Sequence, residues 1–265
     1  MLEILKLNGR VAVITGGGGG LGTAISLALA NAGADIVVTD FRKQDGEKTA
    51  TTINGLGHRA IFIPADITKS EEVNKMIDMA ISQWGKVDIL VNCAGIVREE
   101  TRKPIWEISD SEWHLGIDTN LSGAFYCSRA VAKHMVKRKW GRIINIASGF
   151  GLRGLRDGFI YCSAKAGVIL LTKSLALTFA LEGIRVNAIA PGLFRTWEPE
   201  EVYEARSRFI PMGRVGNPEE IGALVVFLSS DAADYITGEV FAIDGGTLAN
   251  GYAPYGYTPL IPIQK

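Results

Sequence analysis

A chain of 265 residues with 47% hydrophobic side chains and a mean hydropathy of +0.17 has enough apolar surface for a sizeable core, which excludes an intrinsically disordered protein. Its 28 basic and 28 acidic residues cancel, so no net field draws nucleic acid or an anionic membrane. Three separated cysteines, Cys93, Cys127 and Cys162, and three separated histidines, His58, His114 and His134, suggest neither a disulfide framework nor a metal centre and fit a reducing, cytoplasmic setting.

Residues 1–10 lack a basic segment followed by a long apolar run, so no secretory signal is expected. Seven short β-branched runs follow, at 11–15, 36–39, 60–64, 87–91, 142–146, 185–189 and 240–243. Their centres carry almost no polar residues, the signature of strands buried on both faces of a parallel sheet. Helical patterns fill the gaps. Ser109 and Glu112 form a capping box that predicts a helix running towards Lys139, and Asn217-Pro218-Glu219-Glu220 opens another ahead of Ile221. The alternation predicts a single α/β domain over 1–265, a Rossmann-type doubly wound seven-stranded parallel sheet with helices on both faces.

Three segments stand out. The most apolar helical stretch, 166–181, is interrupted by Lys173 and is short of the roughly 20 apolar residues that span a bilayer. Residues 192–213, with Trp197, Pro199 and Pro211, have no strand signal and read as a lid over the carboxyl ends of the strands. The tail 247–265 is broken by Pro254, Pro259 and Pro262, and is expected to pack on a neighbour or fray.

Glycine is abundant, 31 of 265 residues, about 12% against a usual 7% or so, and it clusters where the first strand hands over to the first helix. There the chain reads Thr15-Gly16-Gly17-Gly18-Gly19-Gly20-Leu21-Gly22. Such a turn lets backbone N–H groups and the positive helix end face a pyrophosphate, from which any Cβ would hold the phosphate away. Asp40 ends the second strand, where a carboxylate accepts the ribose hydroxyls of an adenosine and repels a 2′-phosphate, which favours NAD over NADP. Arg42, two residues on, is a weaker counter-argument for NADP. Asp66, past the third strand, is a candidate for the adenine edge or a cap of the next helix.

These residues resemble the short-chain dehydrogenase/reductase family, whose T-G-x-x-x-G-x-G pattern matches Thr15 to Gly22. Asn92-Cys93-Ala94-Gly95 after the fourth strand is similar to the family's N-N-A-G, with Cys93 where a side-chain amide usually stands. Asp244-Gly245-Gly246 resembles its last-strand ending. The likeness spans 7–246. It implies a catalytic tetrad of Asn120, Ser148, Tyr161 and Lys165, and cofactor contacts from Asn92, Ala94, Gly95, Tyr161, Lys165, Pro191, Gly192 and Thr196 in addition to the glycine turn. It also implies a homotetramer or homodimer, for which 166–181 and the tail are candidate contacts.

The residues support the same chemistry on their own terms. Tyr161 and Lys165 share a helix face, and an ammonium beside a phenol can lower its pKa; bringing it down by about 3 units takes roughly 4 kcal/mol. Ser148, just after the fifth strand, can donate to a substrate oxygen as charge develops there. Asn120, in a helix that an amide weakens, is expected to hold a water that relays protons to Lys165. The expected reaction is hydride transfer between NAD and a secondary alcohol or ketone. The resemblance points to a sugar, polyol or sugar acid, in the manner of glucose or gluconate dehydrogenases. A 3-oxoacyl-carrier-protein reductase and a non-catalytic nucleotide-binding regulator are the alternatives. Arg153, Arg156, Arg195 and Trp197 are the candidate substrate contacts, the arginines because a guanidinium forks onto carboxylate or phosphate.

Overall fold

In a computed structural model describing residues 2–97 and 103–250, the seven apolar runs form one fully parallel sheet ordered β3-β2-β1-β4-β5-β6-β7. The strands are β1 (Val11–Thr15), β2 (Asp35–Asp40), β3 (Ala60–Pro64), β4 (Ile89–Asn92), β5 (Gly141–Ile146), β6 (Ile184–Pro191) and β7 (Val240–Ile243). The helices are α1 (Gly20–Asn31), α2 (Lys43–Gly55), α3 (Ser70–Trp84), α4 (Asp110–Ile117), α5 (Gly123–Arg138), α6 (Phe159–Phe179), α7 (Glu200–Ser207) and α8 (Pro218–Ser229).

Alternation along the strands sends neighbouring residues into two separate cores. Ile14, Val91 and Ile144 pack with Ile25 and Leu29 of α1 and Ile221 and Val225 of α8. Val13, Leu90 and Ile143 point the other way, onto Val73, Met76 and Ile77 of α3 and Cys127, Val131 and Met135 of α5. Both faces are therefore covered, as near-continuous apolar strands require.

Several boundaries differ from the sequence expectation. The helix predicted from Ser109 towards Lys139 is interrupted: α4 passes through a π-helical turn, Asp118–Ser122, before α5 begins, and α5 ends at Arg138 with Lys139 in the left-handed region. The capping box at its start is present, Glu112 N–H donating to Ser109 Oγ at 3.3 Å and Ser109 N–H to Glu112 Oε2 at 2.8 Å. The lid segment contains α7, which starts behind Pro199 with Glu200 and Glu201 in its first turn. The apolar helix begins at Phe159, so the stretch Phe159–Glu182 is long and apolar enough to cross a membrane on length and composition alone, against the expectation from 166–181. Here it lies alongside β6, with Lys165 buried on its sheet side and Leu170 and Leu177 exposed. Of the expected tail, only the turn Thr247–Asn250 lies within the described residues.

Strand order reverses between β1 and β4, since β1 pairs with β2 on one edge and β4 on the other. In open α/β sheets the crevice beyond the carboxyl ends at such a switch is where ligands bind.

Candidate active site

The glycine turn sits in this crevice because the backbone is packed too tightly for side chains. A Cβ on Gly16, whose φ is +65°, would fall 2.7 Å from Ala94 Cα, and one on Gly22 would fall 2.0 Å from the Gly16 carbonyl oxygen. A Cβ on Gly20 would meet the Thr196 side chain at 2.7 Å, so the segment after β6 overhangs the first turn of α1. Gly19 is the N-cap of α1 and brings no capping side chain. The first-turn amides at Gly20, Leu21 and Gly22 precede the helical ladder, so this bare helix end has both the room and the donors to hold a pyrophosphate.

Asp40 ends β2 beside the turn, 6% exposed, and accepts from Gly18 N–H at 3.2 Å and from Arg42 N–H at 2.9 Å. Arg42 is held by acids, its Nε 3.2 Å from Asp45 and 3.7 Å from Asp40. Asp66 forms a tight turn into α3: its Oδ1 accepts from Thr68 N–H at 3.0 Å and Thr68 Oγ1 at 2.7 Å. Burial raises the Asp66 carboxyl, and the Thr68 bonds with Lys69 outweigh this and leave it below the usual range. The N-cap of α3 is Lys69, with no side-chain cap bond, so Asp66 shapes the turn ahead of the helix and is not the cap read as an alternative from the sequence.

The side chains of two cofactor candidates, Thr15 and Asn92, turn inward. Thr15 is 1% exposed, and its hydroxyl accepts from Cys93 N–H at 3.0 Å and Ala94 N–H at 3.1 Å, tying the loop after β4 to the end of β1. Asn92 donates to Asn145 Oδ1 at 2.8 Å and Ser128 Oγ at 3.2 Å, joining β4 to β5 and α5. Pro191 is buried where β6 ends. Gly192 lies against β7's exit, where a Cβ would fall 2.8 Å from Asp244 Cα.

Ser148, Tyr161 and Lys165 converge at the mouth of the crevice. Ser148 follows β5, accepts from Phe150 N–H at 3.1 Å, and lines the mouth together with Tyr161. Lys165, 4% exposed, donates from Nζ to the Ile146 carbonyl at 2.8 Å, and Nζ lies 5.7 Å from the Tyr161 ring centroid. Burial pushes the Lys165 amine down from 10.5 to about 8. Burial also raises Tyr161, and the neighbouring Ser148 hydroxyl works against this rise. The expected lowering of the phenol by the ammonium thus differs from the balance found: desolvation dominates both groups, and Ser148 is the group that favours the phenolate.

Asn120 lies in the π-helical turn, 3% exposed. Its Nδ2 donates to Ile96 O and to Gly116 O, each at 3.0 Å, and its Oδ1 accepts from Ile96 N–H at 3.1 Å. With both amide hydrogens engaged, the side chain braces the 95–96 loop beside Lys165. A Cβ on Gly95 would be 2.8 Å from Asn120 Oδ1 and 3.4 Å from Lys165 Nζ.

These groups open into a cleft of about 1030 Å³ lined by Ser148, Tyr161, Pro191, Thr196 and a largely apolar wall that includes Phe150, Leu155, Phe209 and Leu248. Of the four expected substrate residues, Arg153 and Trp197 line it. Arg156 is 95% exposed beside Asp157, and Arg195 is ion-paired to Glu200, neither forming part of the wall. Arg206 and Glu198 do line it, joined at 2.7 Å, and sequence reading missed them with α7. Pro199 followed by two glutamates was the available signal. Among the described residues no cluster of three or more His, Cys, Asp or Glu could hold a metal.

Comparison with known proteins places this geometry among nicotinamide-dependent oxidoreductases. A family model described as enoyl-(acyl carrier protein) reductase matches residues 17–247. The chain is 40% identical, over 91% of its length and 97% of the other's, to the 3-oxoacyl-(acyl-carrier-protein) reductase of Synechocystis. It is 36% identical, over 94% and 99%, to the 2-dehydro-3-deoxy-D-gluconate 5-dehydrogenase of Escherichia coli. A solved gluconate 5-dehydrogenase from Burkholderia cenocepacia, in complex with NADP and tartrate, superposes with a TM-score of 0.87 at 33% identity, covering 94% of this chain and 98% of that one. The chain belongs to the short-chain dehydrogenase/reductase family. It is an oxidoreductase acting on alcohol or ketone groups with a nicotinamide cofactor.

The buried amine yields a test of stability against pH. Below about pH 8 Lys165 is charged in both states and the folded protein bears the full cost of burying it. Between there and 10.5 the unfolded chain holds the proton and the folded one does not, so stability rises with pH across that window. Urea unfolding should show Lys165→Met gaining on the parent by most below pH 8, the difference shrinking by about 3 kcal/mol by pH 10.5. A difference flat in pH contradicts the burial assigned to this amine.

Proposed function

We propose that the chain is an NAD-dependent dehydrogenase of secondary hydroxy acids, with sugar acids the leading substrates, working as one domain with 192–213 as its lid. The observation that carries the catalytic reading is the convergence of Ser148 and Tyr161 on the wall of one cleft, with the Lys165 amine buried one helical turn behind Tyr161. When bound, the nicotinamide accepts or supplies the hydride. Tyr161 takes or returns the proton of the substrate hydroxyl, Ser148 donates to the same oxygen as it gains negative charge, and Lys165 stabilises the phenolate while charged. Asn120 fixes the loop that runs past Lys165. The glycine turn holds the pyrophosphate and Asp40 the ribose hydroxyls.

The NAD preference rests on Asp40, whose carboxylate is fixed by two backbone amides beside the turn. Neutralising it to admit a 2′-phosphate would need Arg42 to leave Asp45. The acid preference rests on Arg153 in the cleft wall. A second reading, reduction of 3-oxoacyl groups on a carrier, draws on the apolar wall of Phe150, Leu155, Phe209 and Leu248, and predicts NADPH as the better reductant. We take the chain to act on small molecules in the cytoplasm as a homodimer or homotetramer, with exposed Leu170, Leu177 and Leu181 as contact candidates.

Tyr161→Phe should lower kcat about a thousandfold while the Kd for NAD changes by less than about twofold, measured by rapid kinetics and fluorescence titration. Equal loss of both places Tyr161 in binding alone. Asp40→Asn should shrink the ratio of kcat/KM for NAD over NADP about tenfold; an unchanged ratio removes Asp40 from coenzyme choice. With hydroxy acids and the matching neutral polyols as alternative substrates, Arg153→Ala should raise KM for the acids about tenfold and leave the polyols unaffected.

A further inference from the structure

We propose that Tyr203 is a positioning residue of the cleft: its hydroxyl oxygen fixes the 196–198 strap against both the glycine turn and the substrate wall. The inference rests on the reading that hydride transfer occurs in this cleft.

The strap leaves β6 through Pro191 and Gly192 and is last tied to the body of the chain where Arg195 N–H donates to the Gly216 carbonyl at 2.9 Å. Beyond that point its backbone converges on one atom. The amides of Thr196 and Glu198 both donate to the Tyr203 hydroxyl oxygen, at 2.6 and 2.9 Å. Two N–H groups on alternate residues sharing one acceptor fix the backbone between them as a tight arch. Arg206, three residues further along α7 and so on the same helix face, grips the Glu198 carboxylate at 2.7 Å.

Tyr203 can serve as this anchor because its ring is fixed. It is 4% exposed and packs with Ile210, Val215 and Leu193 in a small core separate from the two that flank the sheet. The bonds from Thr196 and Glu198 also outweigh burial and leave the phenol below its ordinary pKa, as a hydroxyl oxygen that acts chiefly as an acceptor should be.

The three strap residues reach different parts of the site. Thr196 presses on Gly20 at the start of α1, Trp197 and Glu198 line the cleft, and all are placed by the same oxygen. Deleting that oxygen therefore loosens coenzyme and substrate contacts together while leaving Ser148, Tyr161, Lys165 and the sheet untouched. The effect should fall on binding rather than on the chemical step.

Tyr203→Phe, in the full chain, keeps the ring and removes the oxygen. We expect KM for the alcohol or ketone substrate to rise about tenfold and the Kd for NAD about threefold, with kcat within about threefold of the parent and Tm within about 2 °C. Hydrogen exchange should speed up at the Thr196 and Glu198 amides of the variant. In the parent, those two amides should exchange more slowly than that of Trp197, a measurement that does not depend on the variant folding. Unchanged KM, Kd and exchange would overturn the proposal. So would a fall in Tm with all constants declining together, which would make Tyr203 a residue of the fold alone. If Tyr161→Phe leaves turnover intact, the catalytic reading fails instead, and the NAD titration and exchange data still decide the role of Tyr203.

Discussion

One hydroxyl holds the loop after β4 against the end of β1. Thr15 lies where the strand order reverses, and its oxygen accepts the amides of Cys93 and Ala94. That grip brings Ala94 so close to Gly16 that no Cβ fits there, which in turn sets where α1 begins and where its bare N-terminus points. The loop then passes Gly95 and Ile96, where Asn120 holds it from the other side. The coenzyme end and the proton-transfer end of the cleft are therefore braced by the same few backbone atoms.

The electrostatics of the site follow from its dryness. Lys165 is buried with one carbonyl partner, and the cost of that burial is expressed as an amine that titrates near 8 rather than 10.5. Such a group weakens the fold below that pH, a frequent feature of sites kept for chemistry rather than stability. Cys93, where the family commonly has an amide, is pushed up to about 12 by burial, so its thiol stays protonated and adds no competing anion beside the lysine.

Reaction and specificity are divided between rigid and appended parts. Ser148 stands at the end of a central strand and Tyr161 and Lys165 on the long helix α6, while much of the cleft wall comes from the 192–213 segment and its helix α7. Relatives 36–40% identical to this chain carry both carrier-linked and sugar-acid names, since a fold does not dictate its substrate. In this chain the wall combines apolar surface with the Arg206–Glu198 pair.

The strands, their common direction and the glycine turn were legible because local periodicity and the absence of side chains are properties of short segments. The pairing of Tyr161 with Lys165 was legible for the same reason, four residues being about one helical turn. By contrast, Thr15 and Asn92 read as coenzyme contacts from their place in a motif, yet their side chains point into packing that involves residues from Val91 to Asn145. Arg156 and Arg195 read as cleft residues from proximity in sequence, and neighbouring acids hold them elsewhere. The sequence alone settled which elements form and which residue types supply the chemistry. Burial, which governs the Lys165 and Tyr161 proton affinities, and the meeting of α7 with the strap were decided only by tertiary structure, because both depend on what distant segments remove from water.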